Sequence, residues 1–271
     1  MEIVGPASCY YVSQRIRLHY VDWGNAKAPP LVLVHGGRDH ARSWDWVARA
    51  LRDRYHVVAP DLRGHGDSAW AIGSNYPHYE FVYDLAQLFD IVAPGDAPLT
   101  VIGHSFGGAL LTTYAASYPK RFTKLVNVEG FGPPPELVGR WSGTAMHEQM
   151  RTWIEQLRAL AARQPRRYAS IDDAAARMKQ ENPSLSAEQA EHLTVHGVAP
   201  SAATRSKATF GLMSTTSPGR TECERPGTAS KAARRKAWSA STEATPPITE
   251  TPTAALSQPG KSGRAAAMAS G

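Results

Sequence analysis

One serine in this 271-residue chain stands where its surroundings would make it a nucleophile. Ser105 lies within Gly103-His104-Ser105-Phe106-Gly107-Gly108, after the apolar run Leu99, Thr100, Val101, Ile102 and before Leu110, Leu111, Tyr114 and Ala115 at helical spacing. The pattern predicts a strand, a sharp turn and a helix, with the serine at the apex. Glycines two places to either side allow strand and helix to approach where a side chain would block them. A hydroxyl held out of the sheet at that apex could attack an acyl carbon. The free N–H groups opening the helix could then hold the oxyanion that forms. The plainer alternative, a glycine-rich turn with an incidental serine, is disfavoured by the strand before and the helix after.

Two other stretches carry reactive side chains. His35-Gly36-Gly37 ends the apolar run Leu31–Val34, and DLRGHGDS, from Asp61 to Ser68, follows a further predicted strand at 55–59. Asp61, Arg63, Gly64 and Gly66 read as a tight hydrogen-bonded turn beneath the site, and His35 and His65 as braces of their loops. His104 alternates away from Ser105. His192 and His196, four apart on a predicted helix, share a face and are candidates to reach the serine as base. No metal-ligand spacing and no G-x-G-x-x-G occurs, so neither a metal nor a cofactor is expected.

These residues need a frame. Residues 13–23 alternate apolar and polar as a half-buried edge strand does, whereas 31–34 is a continuous apolar run suited to a strand buried on both faces and 55–59 reads as another buried strand. Between them, Ser43 is a plausible N-cap to a helix with Trp46, Val47, Ala50 and Leu51 on one side. Phe81, Leu85, Leu88 and Phe89 mark a second helix, and 124–128 a further strand. Such alternation predicts an α/β fold with a mostly parallel sheet covered by helices on both faces. After a proline run at 133–135 come helical segments only: Met150, Ile154, Leu157 and Leu160 on one face, then a capping box at Ser186 and Gln189. Their position suggests a helical lid over the C-terminal ends of the strands. The expected organisation is a core over 1–132, a lid over 133–200 and a tail over 201–271.

The tail differs in kind. Forty-eight of its 71 residues are Ala, Ser, Thr, Pro or Gly, a composition that buries too little apolar surface to offset ordering. It also holds the charge excess: with ten Lys/Arg and four Glu there, residues 1–200 carry twenty of each sign, and the formal +6 belongs to the tail. The cluster 231–236 reads as a solvated charge run, so no nucleic-acid partner is expected. Cys9 and Cys223 make no disulfide framework, the N-terminus lacks the basic and apolar regions of a signal peptide, and no run approaches a membrane span. A cytoplasmic protein without a membrane partner is expected.

The motifs HGG at 35–37, DLRGHGDS at 61–68 and GHSFGG at 103–108, in that order, make residues 13–198 resemble the α/β-hydrolase superfamily, in its lid-bearing, serine-nucleophile branch of esterase-like and epoxide-hydrolase-like enzymes. The resemblance implies that Ser105 is the nucleophile, that the amides of Gly37 and Phe106 form the oxyanion hole, and that Glu129 occupies a position some relatives use for the acid. A serine at the nucleophile position argues against epoxide hydrolysis, for which relatives use aspartate there. The family's acid and histidine usually follow two further strands after the lid, so those C-terminal strands are expected to be missing here, where composition changes. The implied activity is hydrolysis of a small apolar ester-like substrate through an acyl-enzyme, without cofactor. The alternative is a catalytically impaired homologue that binds a ligand or partner.

Overall fold

A computed structural model describes residues 5–71, 76–132, 144–162, 168–198 and 222–224. Seven strands, β1 (Ala7–Ser13), β2 (Ile16–Asp22), β3 (Pro30–Val34), β4 (His56–Pro60), β5 (Leu99–His104), β6 (Phe122–Val128) and β7 (Glu222–Glu224), form one sheet in the order β6-β5-β3-β4-β2-β1-β7. Pairs β4/β3, β3/β5 and β5/β6 are parallel, and β2 joins β4 and β1 antiparallel. The order doubles back at β3, which has β4 on one side and β5 on the other. At such a switch the loops leaving the two diverging strands open a crevice at their C-terminal ends. Here those loops are HGG after β3 and the turn at Ser105 after β5.

Alternation along the strands builds two cores. Leu31, Leu33, Val57 and Ala59 pack toward Ala41 of a 3₁₀ helix (Ala41–Trp44) and Ala48 of helix α1 (Asp45–Leu51). On the other face Val32, Val34, Val58 and Val101 meet Leu85, Leu88 and Phe89 of α2 (His78–Val92) and Leu110 and Leu111 of α3 (Phe106–Ser117). All four α2 positions read from the sequence are buried.

Three local expectations change. The helix after Ser43 buries Asp45 and Ala48, not Val47 and Ala50, because Asp45 is drawn inward by Arg42 and His192. Ser43 does not cap it: its hydroxyl donates to Asp39 and to the His40 carbonyl. Strand β2 is interior rather than an edge, since β1, unforeseen, pairs along its whole length. His19 on β2 is buried because both ring nitrogens have partners, Ser8 Oγ at 2.7 Å and Asp61 Oδ2 at 2.7 Å.

After β6 come α4 (Met146–Ala161), α5 (Ile171–Glu181) and α6 (Ala187–Gly197). The capping box that opens α6 is formed in both directions by Ser186 and Gln189. On α4 the apolar face is turned to solvent, with Met150, Trp153, Ile154 and Leu157 exposed. The proline run lies outside the described residues, as does most of the tail. The described part of the tail overturns one expectation: β7 pairs with β1, and Cys223 forms a disulfide with Cys9. The register sets the two cysteines directly opposite each other, with Cα atoms 4.1 Å apart, a link that sequence spacing does not reveal. It removes one support for a cytoplasmic setting, because such bonds persist mainly in oxidising compartments. Among the described residues no helix is long and apolar enough to cross a membrane.

Candidate active site

The turn at Ser105 is built by close approach. A Cβ on Gly103 would lie 2.7 Å from backbone atoms of Gly107 and Gly108, and one on Gly107 would lie 2.5 Å from the carbonyl oxygens of Val34 and His35. Only glycine lets α3 descend onto β5 and β3 in this way. Ser105 between them takes φ 48°, ψ −116°, a conformation L-residues avoid and one stored at functional turns. Its N–H donates to the Val128 carbonyl at 2.7 Å and its carbonyl accepts from Ala109, so backbone bonds on both sides hold the strain. Phe106 is the first residue of α3, and its N–H therefore has no acceptor within the helix.

The HGG loop is fixed from below. His35 is buried, donates from Nδ1 to the Gly36 carbonyl at 2.6 Å and accepts at Nε2 from the Leu62 N–H at 3.0 Å. Burial pushes its pKa down to about 4, so at neutral pH it is an uncharged brace. Asp61 accepts from the Ala41 N–H, the Asp67 N–H and His19. Burial alone would raise its pKa, but the His19 hydrogen bond and the neighbouring imidazoles hold it well below the usual carboxylate range. Gly66 completes the turn, since a Cβ there would lie 2.2 Å from the Asp61 carboxyl carbon. Arg63 is buried against Asp84, with Nε 2.6 Å from Oδ2. The turn read beneath the site is thus present, and His65 braces it by donating to the Arg63 carbonyl and accepting from the Arg38 N–H.

The loop and the elbow meet at Gly36. A Cβ on it would lie 3.3 Å from Ser105 Cβ and 2.9 Å from His104 Nδ1. His104, expected to point away, thus borders Gly36 as Ser105 does. Its Nε2 is 3.8 Å from Glu129, the candidate acid, which is 82% exposed just past β6 at φ 60°. His192 and His196 are engaged elsewhere. His192 Nε2 lies 3.1 Å from Asp45 and 3.2 Å from the Arg42 carbonyl, with its ring edge-on to Trp46, and His196 is buried beside His192 and His40. Among the described residues no histidine hydrogen-bonds to Ser105. His40 is the residue the sequence reading missed. It is buried, its Nε2 donates to the Leu193 carbonyl on α6 at 3.0 Å, and it lines a cavity beside Gly37. Only its place three residues after Gly37 could have drawn notice.

A sheet reversing at β3, a serine in a strained strand-to-helix turn and a glycine loop pressed against it define a hydrolase scaffold. A family profile described as "alpha/beta hydrolase fold" matches residues 29–263, and the chain belongs to that family. It is 34% identical over 113 residues to a probable serine hydrolase of Drosophila melanogaster, covering 41% of this chain and 34% of that one. It is also 38% identical over 115 residues to lipase LipV of Mycobacterium tuberculosis, covering 41% of each. Human epoxide hydrolase 4 is 33% identical over 112 residues, covering 41% of this chain and 30% of that one. The chain thus matches well under half the length of these relatives. Among solved structures, the thioesterase domain from the curacin biosynthetic pathway superposes with a TM-score of 0.62 at 27% identity, covering 71% of this chain and 66% of that one.

Proposed function

We propose that this protein is a serine hydrolase that cleaves a small ester-like substrate through an acyl-enzyme on Ser105, without cofactor. The observation that carries the reading is the strained backbone of Ser105 between Gly103 and Gly107. Attack by Ser105 Oγ on the acyl carbon forms a tetrahedral oxyanion. The amides of Gly37 and Phe106 receive its negative charge, the alkoxide leaves with a proton, and water then releases the acid. The serine hydrolase, lipase and thioesterase names of relatives support an ester or thioester bond. The serine nucleophile sets the chain apart from epoxide opening.

One observation favours a second reading, an impaired homologue: among the described residues no histidine is bonded to Ser105, and Glu129 faces His104 instead. A serine without a base keeps its proton at neutral pH, and scaffolds lacking a triad member retain only about 10³–10⁴-fold over water.

Burst hydrolysis of p-nitrophenyl acetate by the wild type and Ser105→Ala, with labelling by a fluorophosphonate, separates the two. Labelling and a burst that vanish in Ser105→Ala are expected. Equal rates and no labelling would leave only the impaired homologue.

A further inference from the structure

Helix α4 is the element the core does not use. All of its residues from 146 to 159 are exposed, Met150, Trp153, Ile154 and Leu157 among them. Helices in proteins draw most of their stability from packing an apolar face rather than from propensity. On α4 that face meets solvent, and the residues beside it indicate what would cover it.

Around the helix the residue types are sorted into rows. At 3.6 residues per turn, Met146, Met150, Trp153 and Leu157 form one row. Beside it runs a second, His147, Arg151, Ile154 and Arg158, in which the cationic side chains border the apolar stripe. Glu148 and Glu155 fall one row further round, away from the stripe, and the other flank carries Gln149 and Gln156. Arg158 pairs with Glu155 at 2.9 Å, but both ends of that pair are exposed, so it holds weakly and yields to a better partner. Cations bordering the stripe, with the acids turned away, match a surface that is anionic outside and apolar beneath. A second copy of the chain fits less well. Across a two-fold axis, antiparallel helices would set the two basic rows against each other, and parallel ones would set each against glutamines.

We infer that α4 lies on an anionic lipid surface, with Met150, Trp153, Ile154 and Leu157 sunk to the boundary between headgroups and acyl chains and Arg151 and Arg158 against the headgroup phosphates. Trp153 stands within the stripe, and an indole favours that boundary. The binding strength of such a helix adds electrostatic attraction to apolar burial. The charge excess at 201–271 enlarges the first of these. A helix lying in the surface needs no span, so the lack of a membrane-crossing helix among the described residues does not oppose it. Attachment requires no chemistry at Ser105.

Co-sedimentation of the full chain with vesicles is the test. Vesicles of phosphatidylcholine mixed with phosphatidylglycerol should carry the protein down, and phosphatidylcholine alone should carry far less. Salt at about 1 M, where the screening length falls to about 3 Å, should release it. Trp153→Ala should weaken binding about tenfold or more, and Arg151→Gln about fivefold, the worth of one cation beside an anionic surface. Glu155→Gln, which removes an acid and frees Arg158, should strengthen it several-fold, a change of sign that misfolding would not produce. Tyr79→Ala, which removes an exposed aromatic from α2, should leave it unchanged. Protein that stays in solution beside anionic vesicles, equal binding to neutral ones, or Trp153→Ala no weaker than Tyr79→Ala would overturn the inference. A dimer that Trp153→Ala dissolves, without vesicle binding, would give the face to a second copy instead. Ser105→Ala should sediment as the wild type does, so failure here leaves the nucleophile reading untouched.

Discussion

His35 and Asp61 meet beneath the HGG loop, and each ties stability to pH over its own range. Unfolded, His35 takes up a proton near 6.5; folded, burial delays this to about 4. Between those values the unfolded chain binds more protons, so stability falls as pH falls, by up to about 3 kcal/mol. Asp61, depressed below its ordinary value, gives stability that is present above the unfolded carboxylate pKa and is lost only at more acidic pH. Denaturant midpoints of the wild type should therefore drop between pH 7 and pH 4.5, whereas His35→Gln, weaker at pH 7, should show a shallower slope. Equal slopes would remove His35 as the cause. Nearby, Gly103→Ala would set a Cβ 2.7 Å from the backbone of α3, which cannot yield as a side chain can, and should cost about 1–3 kcal/mol or more in chemical unfolding. Gly5→Ala, with open space around it, is the neutral control.

At the scale of elements, what the sequence disclosed followed the physics of periodicity. The four buried positions of α2 and the continuous β3 could be read because apolar burial alone decides them, and the strand-to-helix turn at Ser105 because glycines flank it. Where polar partners decide, periodicity misleads. Asp45 turns α1 through its bonds to Arg42 and His192, and Ser13 ends β1 buried because it donates to Asp84 at 2.6 Å. Strand β7, three residues long, has no pattern to read. The site divides in the same way: glycine spacing disclosed the elbow and the loop, but His40 reaches the Leu193 carbonyl only through the packing of α6 on the core. The capping box was legible because its signal is local. Ser186→Ala should lower stability by about 1 kcal/mol, seen as an earlier loss of helical circular dichroism on heating; an unchanged midpoint would mean that α6 is held by its buried Val195 and Ala190 rather than by its cap.

For the molecule as a whole, the two sides of the sheet end differently. Strand β6 has no further neighbour among the described residues and leaves Val126 and Val128 exposed at 47% and 41%. Unpaired, apolar edges invite pairing between chains. Val128→Lys should therefore reduce concentration-dependent light scattering while leaving the thermal midpoint in place; undiminished scattering would locate the sticky surface elsewhere. The opposite side is closed by β7 and the bond from Cys9 to Cys223. That bond makes a covalent ring of everything between the two cysteines, with Gly37, Ser105 and Phe106 inside it. A protease that nicks any loop within the ring would open it without separating the pieces, so a cut protein would still run as one species on a denaturing gel until a reductant divided it.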